Sequence, residues 1–173
     1  MRWFSHMLIA GSTTAVIAPP LVPVAILGST APDWLEWISK ALGNPIQHRT
    51  TTHIALYWAV ALAAALGVWD YQGIIAAFAY GGLTHVIADA LTIMGVPLTP
   101  FSDRRLNLMG GRLRTGESGE LMVAGGISVV CFFVAGQLYT TSDFFPFFYH
   151  WSDLYQRGII DAYEWKQNRF NFI

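Results

Sequence analysis

Charged side chains are scarce in this chain. They make up 12% of its 173 residues, which is about half the share found in a typical soluble domain. The 10 basic residues are balanced by 11 acidic residues, so the chain lacks the basic excess that neutralises the phosphates of a nucleic acid. This composition excludes a disordered chain, a coiled coil and an ordinary soluble enzyme, and no nucleic acid is expected as a partner.

Cysteine is almost absent as well. Cys131 is the only one, which excludes an internal disulfide and a metal cluster held by several thiolates. Patterns typical of a P-loop, a dinucleotide-binding fold, a nucleophile elbow or a His-Glu-x-x-His zinc helix are also missing. Any chemistry must therefore come from histidines, carboxylates and arginines outside these motifs.

Hydrophobic residues, by contrast, make up 54% of the chain. They concentrate in four stretches, at roughly 7–27, 53–69, 74–91 and 121–138. As a helix, each of the last three would be roughly 26 Å long, which just crosses a thin hydrocarbon core. The sequence therefore predicts an all-α, multi-pass membrane bundle with three clear spans and an irregular N-terminal segment. Small residues that allow close helix packing in lipid occur in all three spans: Ala59, Ala63, Gly81, Gly82, Gly125 and Gly126.

Prolines interrupt the first hydrophobic stretch. Pro19, Pro20 and Pro23 lie near its middle, where the ring and the missing N–H of proline break helical hydrogen bonding. Two structures fit this pattern, a kinked span and a re-entrant hairpin that returns to the side from which it entered. The choice decides the place of His6, because a span puts it opposite the other candidate residues and a hairpin puts it beside them.

Basic residues predict the orientation in the membrane. Two long polar connections, 28–52 and 92–120, contain several of them, whereas the turn at 70–73 contains none. The positive-inside rule therefore places both connections in the cytoplasm, at a bacterial inner membrane. Residues 1–140 then form the membrane domain, and residues 141–173 form an aromatic-rich tail at the interface. The basic residues of the two connections are Lys40, Arg49, Arg104, Arg105, Arg112 and Arg114.

His85 and Asp89 form the most specific pair of candidate residues. Their i, i+4 spacing puts both side chains on one face of the third span. An imidazole and a carboxylate that face the same point suit Zn²⁺ or Mn²⁺. Two other interpretations are a hydrogen bond between helices and a proton relay. An ionisable pair in a membrane helix is costly to bury, so a function is expected for it.

A second pair flanks the start of the second span. His48 and His53 are about 140° apart on an ideal helix, so they converge only if His48 lies in the loop and His53 begins the helix. Arg49 would then stand beside the metal as a clamp for an anionic group such as a phosphoryl oxygen. The alternative is a polar, basic loop at the membrane surface.

Asp33 also has two interpretations. It can cap a helix, with Glu36 three residues later completing a capping box. It can also be a carboxylate ligand that bridges two metal ions. His150 lies in the tail, on the opposite side of the membrane in this topology, and is not a candidate.

Arginines in the second long connection are candidates for substrate binding. Arg104 and Arg105 follow the segment 99–103, and Arg112 and Arg114 lie farther along among glycines. Guanidinium groups at a membrane surface can hold the phosphate of a lipid or of a substrate. The alternative is that these charges only fix the orientation of the protein.

These motifs resemble the YdjM-like family of bacterial inner-membrane proteins, which are described as predicted membrane-bound metal-dependent hydrolases. The resemblance covers roughly residues 1–140. It is found in Ser5-His6, Pro32-Asp33, the segment from His48-Arg49 to Thr52-His53, Thr84-His85 with Asp89, and residues 100–105. It implies metal ligation by His6, Asp33, His48, His53, His85 and Asp89.

The leading hypothesis is a hydrolase that works at the cytoplasmic face of the membrane with a divalent metal, Zn or else Mn or Mg. Asp33 or Asp89 would serve as the base if it is not a ligand. Arg49, Arg104 and Arg105 would neutralise charge on a phosphoester, with a lipid-linked substrate as the natural choice. Two other functions remain open, a transporter of metal ions or protons and a non-catalytic membrane protein that binds a partner. The sequence leaves the oligomeric state open.

Overall fold

The computed structural model describes residues 1–102, 104–110 and 112–138, together with Gly158 and Tyr163. This part of the chain is mostly helical, which confirms the predicted class. A short antiparallel pair of strands, β1 (Val96–Pro97) and β2 (Arg105–Leu106), lies in the connection before the last helix. The predicted tail, 141–173, falls outside the described residues apart from Gly158 and Tyr163. The helices are α1 (Trp3–Ile17), α2 (Val22–Ala41), α3 (Ala55–Gly67), α4 (Ile74–Ala90) and α5 (Ser118–Leu138).

The first hydrophobic stretch is a helical hairpin. α1 ends at Ile17, a 3-10 turn at Pro19–Leu21 follows, and α2 returns antiparallel to α1. Trp3 at the start of α1 consequently meets the second half of α2, where its Nε1–H donates to Asp33 Oδ2 at 2.6 Å and its ring stacks on Trp37. Of the two predicted alternatives, the hairpin is correct, and it brings the N-terminal end of α1 beside Asp33.

The helices differ in how well they match the thickness of a membrane. α5 has 21 residues and is the one helix, among the described residues, that is long and apolar enough to cross a bilayer. α3 and α4 are also apolar but have 13 and 17 residues, which correspond to roughly 20 and 26 Å. The three predicted spans are thus confirmed as helices, and one of them is confirmed as long enough to cross.

Glycines allow the backbones of α2 and α4 to touch. A Cβ atom added to Gly81 would lie 2.1 Å from the carbonyl oxygen of Ala25. Gly82 lies against the Trp58 ring of α3 in the same way. The sequence prediction that small residues permit close packing is correct for this pair. It does not hold for the other four predicted positions, since Ala59 and Ala63 are exposed and no described atom lies within 4 Å of a Cβ at Gly125 or Gly126.

A buried carboxylate in α5 forms hydrogen bonds to the N-terminal end of α1. Glu120 is fully buried near the start of α5, and its Oε1 accepts hydrogen bonds from the backbone N–H of Arg2 and the hydroxyl of Ser5. Its Oε2 accepts one from the backbone N–H of Gly116. Farther along the two helices, the Ser128 hydroxyl lies 3.2 Å from that of Ser12. α5 therefore runs beside α1, and both begin at the same end of the bundle.

The two ends of the bundle differ in polarity. The starts of α1, α3 and α5 meet the final turns of α4 and the second half of α2 at one end, and every long connection lies there. At the other end, α1, α3 and α4 surround an apolar cavity of about 300 Å³ that includes Ile17, Leu66 and Ala77. The predicted metal-ligand residues lie at the polar end, as expected from the order of the helices.

Candidate metal centre

His85 and Asp89 lie side by side in the last turns of α4, and each is 1% exposed. The Nδ1–H of His85 donates to the backbone carbonyl of Ser29 in α2 at 2.6 Å. Because a carbonyl can only accept, this bond fixes the proton on Nδ1 and leaves Nε2 directed away from α2. The close packing of α2 and α4 is what brings that carbonyl within reach.

His53 is held in the complementary way. It ends a 3-10 turn, Thr51–His53, immediately before α3, as the sequence predicted for a residue at the start of this helix. Its Nδ1 lies 3.1 Å from Glu36 Oε1 and 3.0 Å from the hydroxyl of Thr52. The Thr52 hydroxyl donates its own proton to Glu36, so both neighbours accept from His53 Nδ1–H. The Nε2 atom is therefore directed to the opposite side of the ring, toward His85.

Four acceptor atoms converge at this point. We call this set the acceptor cluster: Asp33 Oδ1, His53 Nε2, His85 Nε2 and Asp89 Oδ2. The two Nε2 atoms lie 3.2 Å apart. Asp33 Oδ1 lies 3.4 Å from His53 Nε2 and 3.9 Å from His85 Nε2. Asp89 Oδ2 lies 3.9 Å from the first nitrogen and 3.7 Å from the second.

Such a set needs a positive charge at its centre. Two imidazole lone pairs that face each other repel unless a proton or a cation lies between them. A tetrahedral zinc ion with bonds of about 2.0 to 2.1 Å separates its nitrogen ligands by roughly 3.3 Å. The separation of 3.2 Å between the nitrogens of His53 and His85 matches that value. Asp33, His53 and His85 form a group whose ligand atoms are close enough to hold a metal ion. The distances from Asp89 Oδ2 to the two nitrogens, 3.9 and 3.7 Å, are longer.

Asp33 enters the cluster from the middle of α2. The helix begins at Val22, eleven residues earlier, so the helix-capping interpretation of Asp33 and Glu36 is wrong. Oδ2 of Asp33 accepts the hydrogen bond from Trp3, and its Oδ1 faces the Nε2 atom of His53 at 3.4 Å.

Asp89 uses its two oxygens for different partners. Oδ2 belongs to the acceptor cluster, whereas Oδ1 accepts a hydrogen bond from Nη2 of Arg49 at 3.0 Å and also pairs with the amino group of Met1. Nη1 of Arg49 donates to the hydroxyl of Thr92 at 3.0 Å. Arg49 is 4% exposed and adopts a positive φ of 58°. The sequence predicted this arginine beside a metal ion, and in the structure it is a hydrogen-bond partner of Asp89.

His6 reaches the site because the N-terminal hairpin returns to it. Its ring stacks on His85 with centroids 3.6 Å apart, and its Nε2 lies 3.4 Å from Asp89 Oδ1. Both ring nitrogens are buried and have no hydrogen-bond partner among the described residues. A buried polar ring without a partner is costly. His6, His85 and Asp89 accordingly form a second group whose ligand atoms are close enough to hold a metal ion.

Glu36 is the site residue that the sequence did not identify. It is 9% exposed. Besides its contacts with Thr52 and His53, its Oε1 accepts from the backbone N–H of Arg49 at 3.2 Å, and its Oε2 lies 2.8 Å from Nδ1 of His48. The i, i+3 spacing from Asp33 could have revealed it, because this spacing puts both carboxylates on one face of a helix.

His48 lies at the rim of the site rather than at its centre. Its side chain is 57% exposed, and its Nδ1 is 4.0 Å from Asp33 Oδ1, farther than from Glu36. Glu36, His48 and His53 form a third group with ligand atoms close enough to hold a metal ion. All six predicted ligands are therefore brought to one end of the bundle, with His48 the most peripheral.

The arginines predicted to bind substrate differ in their position relative to the site. Arg105 and Arg49 both line a polar cavity of about 370 Å³ next to the acceptor cluster. Arg104 is exposed and is not among the residues that line this cavity. β2 pairs with β1, and just after β2 the backbone N–H of Leu108 donates to the carbonyl of Ala90 at the end of α4, which keeps this segment near the site.

Comparison with known protein families bears directly on the identity of the chain. The model of the YdjM inner membrane protein family matches residues 1–155. The chain belongs to this family. As a YdjM family member, it is an inner membrane protein, in agreement with the helix α5 and with the resemblance found in the sequence. No curated protein and no solved structure matches the chain.

Proposed function

We propose that this YdjM family member is a metal-dependent hydrolase that cleaves a phosphoester at the cytoplasmic face of the inner membrane. The acceptor cluster is the observation that carries the proposal. It presents two carboxylate oxygens and two imidazole nitrogens that face one another, and no donor from the described residues lies among them. His/Asp sets of this kind are typical of zinc and other divalent transition metals.

The primary ion would be held by Asp33, His53, His85 and Asp89. His6, His85 and Asp89 form a second group that could hold an ion, and the buried ring nitrogens of His6, which have no hydrogen-bond partner among the described residues, support it. Oδ1 of Asp89 pairs with Arg49 and with the Met1 amino group, so a second ion would have to displace these contacts. Sites with two metal ions are found in enzymes that hydrolyse phosphoesters.

A bound divalent ion would lower the pKa of a water molecule and polarise the scissile bond. The residues of the chain prepare the site for that chemistry. Glu36 fixes the ring orientation of His53, and the Ser29 carbonyl fixes that of His85. Arg49 balances the charge of Asp89, and its guanidinium would stabilise charge that develops on a nearby phosphoryl oxygen. Asp33 is tied on one oxygen to Trp3, so its other oxygen keeps a fixed direction.

The location of the cluster supports a membrane-surface substrate. It lies at the end of the bundle that carries the long connections with Lys40, Arg49, Arg105 and the other basic residues. The positive-inside rule assigns that end to the cytoplasm, with α1 to α5 as a multi-pass bundle. A site at headgroup depth suits a lipid-linked phosphoester.

Elemental analysis of the detergent-purified protein tests the proposal. We expect one to two equivalents of a divalent metal per wild-type chain, and a clear loss in His85→Ala and in Asp33→Asn. Cleavage of a chromogenic phosphodiester and of phospholipids should require the same residues. If both variants retain the metal, the acceptor cluster is not the metal site. Ion flux into liposomes that depends on His85, without any cleavage, would favour transport instead.

A further inference from the structure

The polar cavity beside the acceptor cluster has the chemistry of an anion site. It occupies about 370 Å³ between the segment 49–54 on one side and residues 97–102 with Arg105 on the other, and we call it the arginine cavity. Six polar side chains line it: Arg49, Thr50, Thr51, Thr99, Ser102 and Arg105. Guanidinium groups only donate hydrogen bonds, and hydroxyls can donate as well. No acidic side chain is present in its wall among the described residues.

We propose that the arginine cavity binds a phosphoryl group of the substrate. This proposal rests on the proposed function, because the phosphoryl group belongs to the molecule that the metal site would cleave. Arginine suits this ligand because its planar fork can donate two parallel hydrogen bonds to phosphate oxygens. Hydroxyls on the walls can satisfy the remaining oxygens.

One short segment joins the cavity to the metal site. Thr50 and Thr51 line the cavity, whereas Thr52 and His53 belong to the metal site. Arg49 takes part in both, since it lines the cavity and donates to Asp89. A phosphoryl group in the cavity is thereby brought next to the acceptor cluster.

Arg105 is the residue that can turn toward a ligand. Strand pairing places it opposite Pro97 in β1, so its backbone is fixed at the cavity wall. Its side chain is exposed, and its contact with a protein acceptor, among the described residues, is a weak hydrogen bond of 3.4 Å from Nη1 to the carbonyl of Met94. Arg49, in contrast, is occupied by Asp89 and Thr92. Arg105 therefore provides the greater part of the recognition.

The experiment uses the full chain in dodecyl maltoside after its metal has been removed with a chelator. Calorimetric titration with inorganic phosphate gives one arm, and mixed micelles that contain phosphatidic acid or phosphatidylcholine give the other. We expect Arg105→Gln to weaken binding roughly tenfold or more, since a charge-assisted hydrogen bond is lost. Arg105→Lys should have an intermediate effect because it retains the charge. Thr99→Val should weaken binding from a different wall of the cavity.

Arg104→Gln is the matched control. It removes the same charge one residue away and outside the cavity, so its effect should be less than about twofold. Arg105-dependent binding of inorganic phosphate and of phosphatidic acid supports a general phosphoryl site. Arg105-dependent binding of phosphatidic acid without binding of inorganic phosphate supports a lipid headgroup. Equal effects of Arg104→Gln and Arg105→Gln, or no binding of either probe, would overturn the proposal. The titration needs no metal, so a negative result would count against the arginine cavity and not against the metal site. Conversely, a protein found to contain no metal would not change the result of the phosphate titration.

Discussion

A Cβ atom on Gly28 in α2 would lie 2.1 Å from the carbonyl oxygen of Phe78 in α4. The two backbones are therefore in direct contact, and they come together just before the site. Ser29, the next residue of α2, accepts the hydrogen bond from His85, and Asp33 follows one turn later. This glycine contact sets the distance between the helices that contribute three of the four atoms of the acceptor cluster.

Gly28→Ala should therefore destabilise the protein and reduce its metal content together. Overpacking of a closely packed contact costs about 1 to 3 kcal/mol, and the added methyl group forces Asp33 away from His85. Thermal unfolding in detergent and elemental analysis measure the two effects. Gly125→Ala is the control, because no described atom lies within 4 Å of a Cβ there. Equal behaviour of the two variants would contradict the role assigned to this contact.

Glu36→Gln should lower metal affinity by roughly ten- to a hundred-fold, as is usual when the partner of a metal-binding histidine is lost. The amide keeps the shape of the side chain but turns an N–H₂ group toward N–H donors of His48, His53 or Arg49. Competition with a chelating dye measures the affinity. Glu117→Gln serves as the control, since this carboxylate is exposed and pairs only loosely with Arg114. An affinity unchanged in Glu36→Gln would show that Glu36 does not orient the ligands.

His48→Ala should retain more metal than His85→Ala. The side chain of His48 is 57% exposed and its Nδ1 contacts Glu36, whereas His85 is buried and its Nε2 lies within the acceptor cluster. Elemental analysis of both variants, purified side by side, makes the comparison. Equal loss from the two variants would indicate that His48 itself binds the ion.

Glu120→Leu should weaken the attachment of α5 to α1. The substitution leaves three donors without their acceptor, namely Arg2 N–H, Ser5 hydroxyl and Gly116 N–H. A buried donor left without its acceptor costs about 1 to 3 kcal/mol. The Ser5 hydroxyl is buried and the other two donors are partly buried, so the unfolding temperature in detergent should fall. Ser5→Ala removes one of the three hydrogen bonds and should have a smaller effect. A reversed order would mean that packing, and not this carboxylate, holds α5.

Much of the candidate site could be predicted from the sequence because it depends on local spacing. The i, i+4 relation of His85 and Asp89 puts them together on any helix, and His53 at a helix start follows from the end of a polar loop. Helices α3, α4 and α5 lie close to the predicted stretches, since long hydrophobic runs are a local signal. The second half of α2, in contrast, falls within the predicted polar connection 28–52. The prolines indicated a break, but the pattern fitted both a kink and a hairpin.

The sequence by itself thus determined the helices, the membrane class and the residue types that can hold a metal ion. Tertiary structure decided which of these side chains meet. Contacts across long separations, such as His6 with Asp89 or Glu36 with His48, depend on how helices pack, and no periodicity within one segment encodes them. The capping box predicted for Asp33 and Glu36 is wrong because α2 begins earlier, at Val22, within the stretch that the prolines interrupt. Arg105 lines the cavity while its neighbour Arg104 does not, and this difference too depends on how the segments pack.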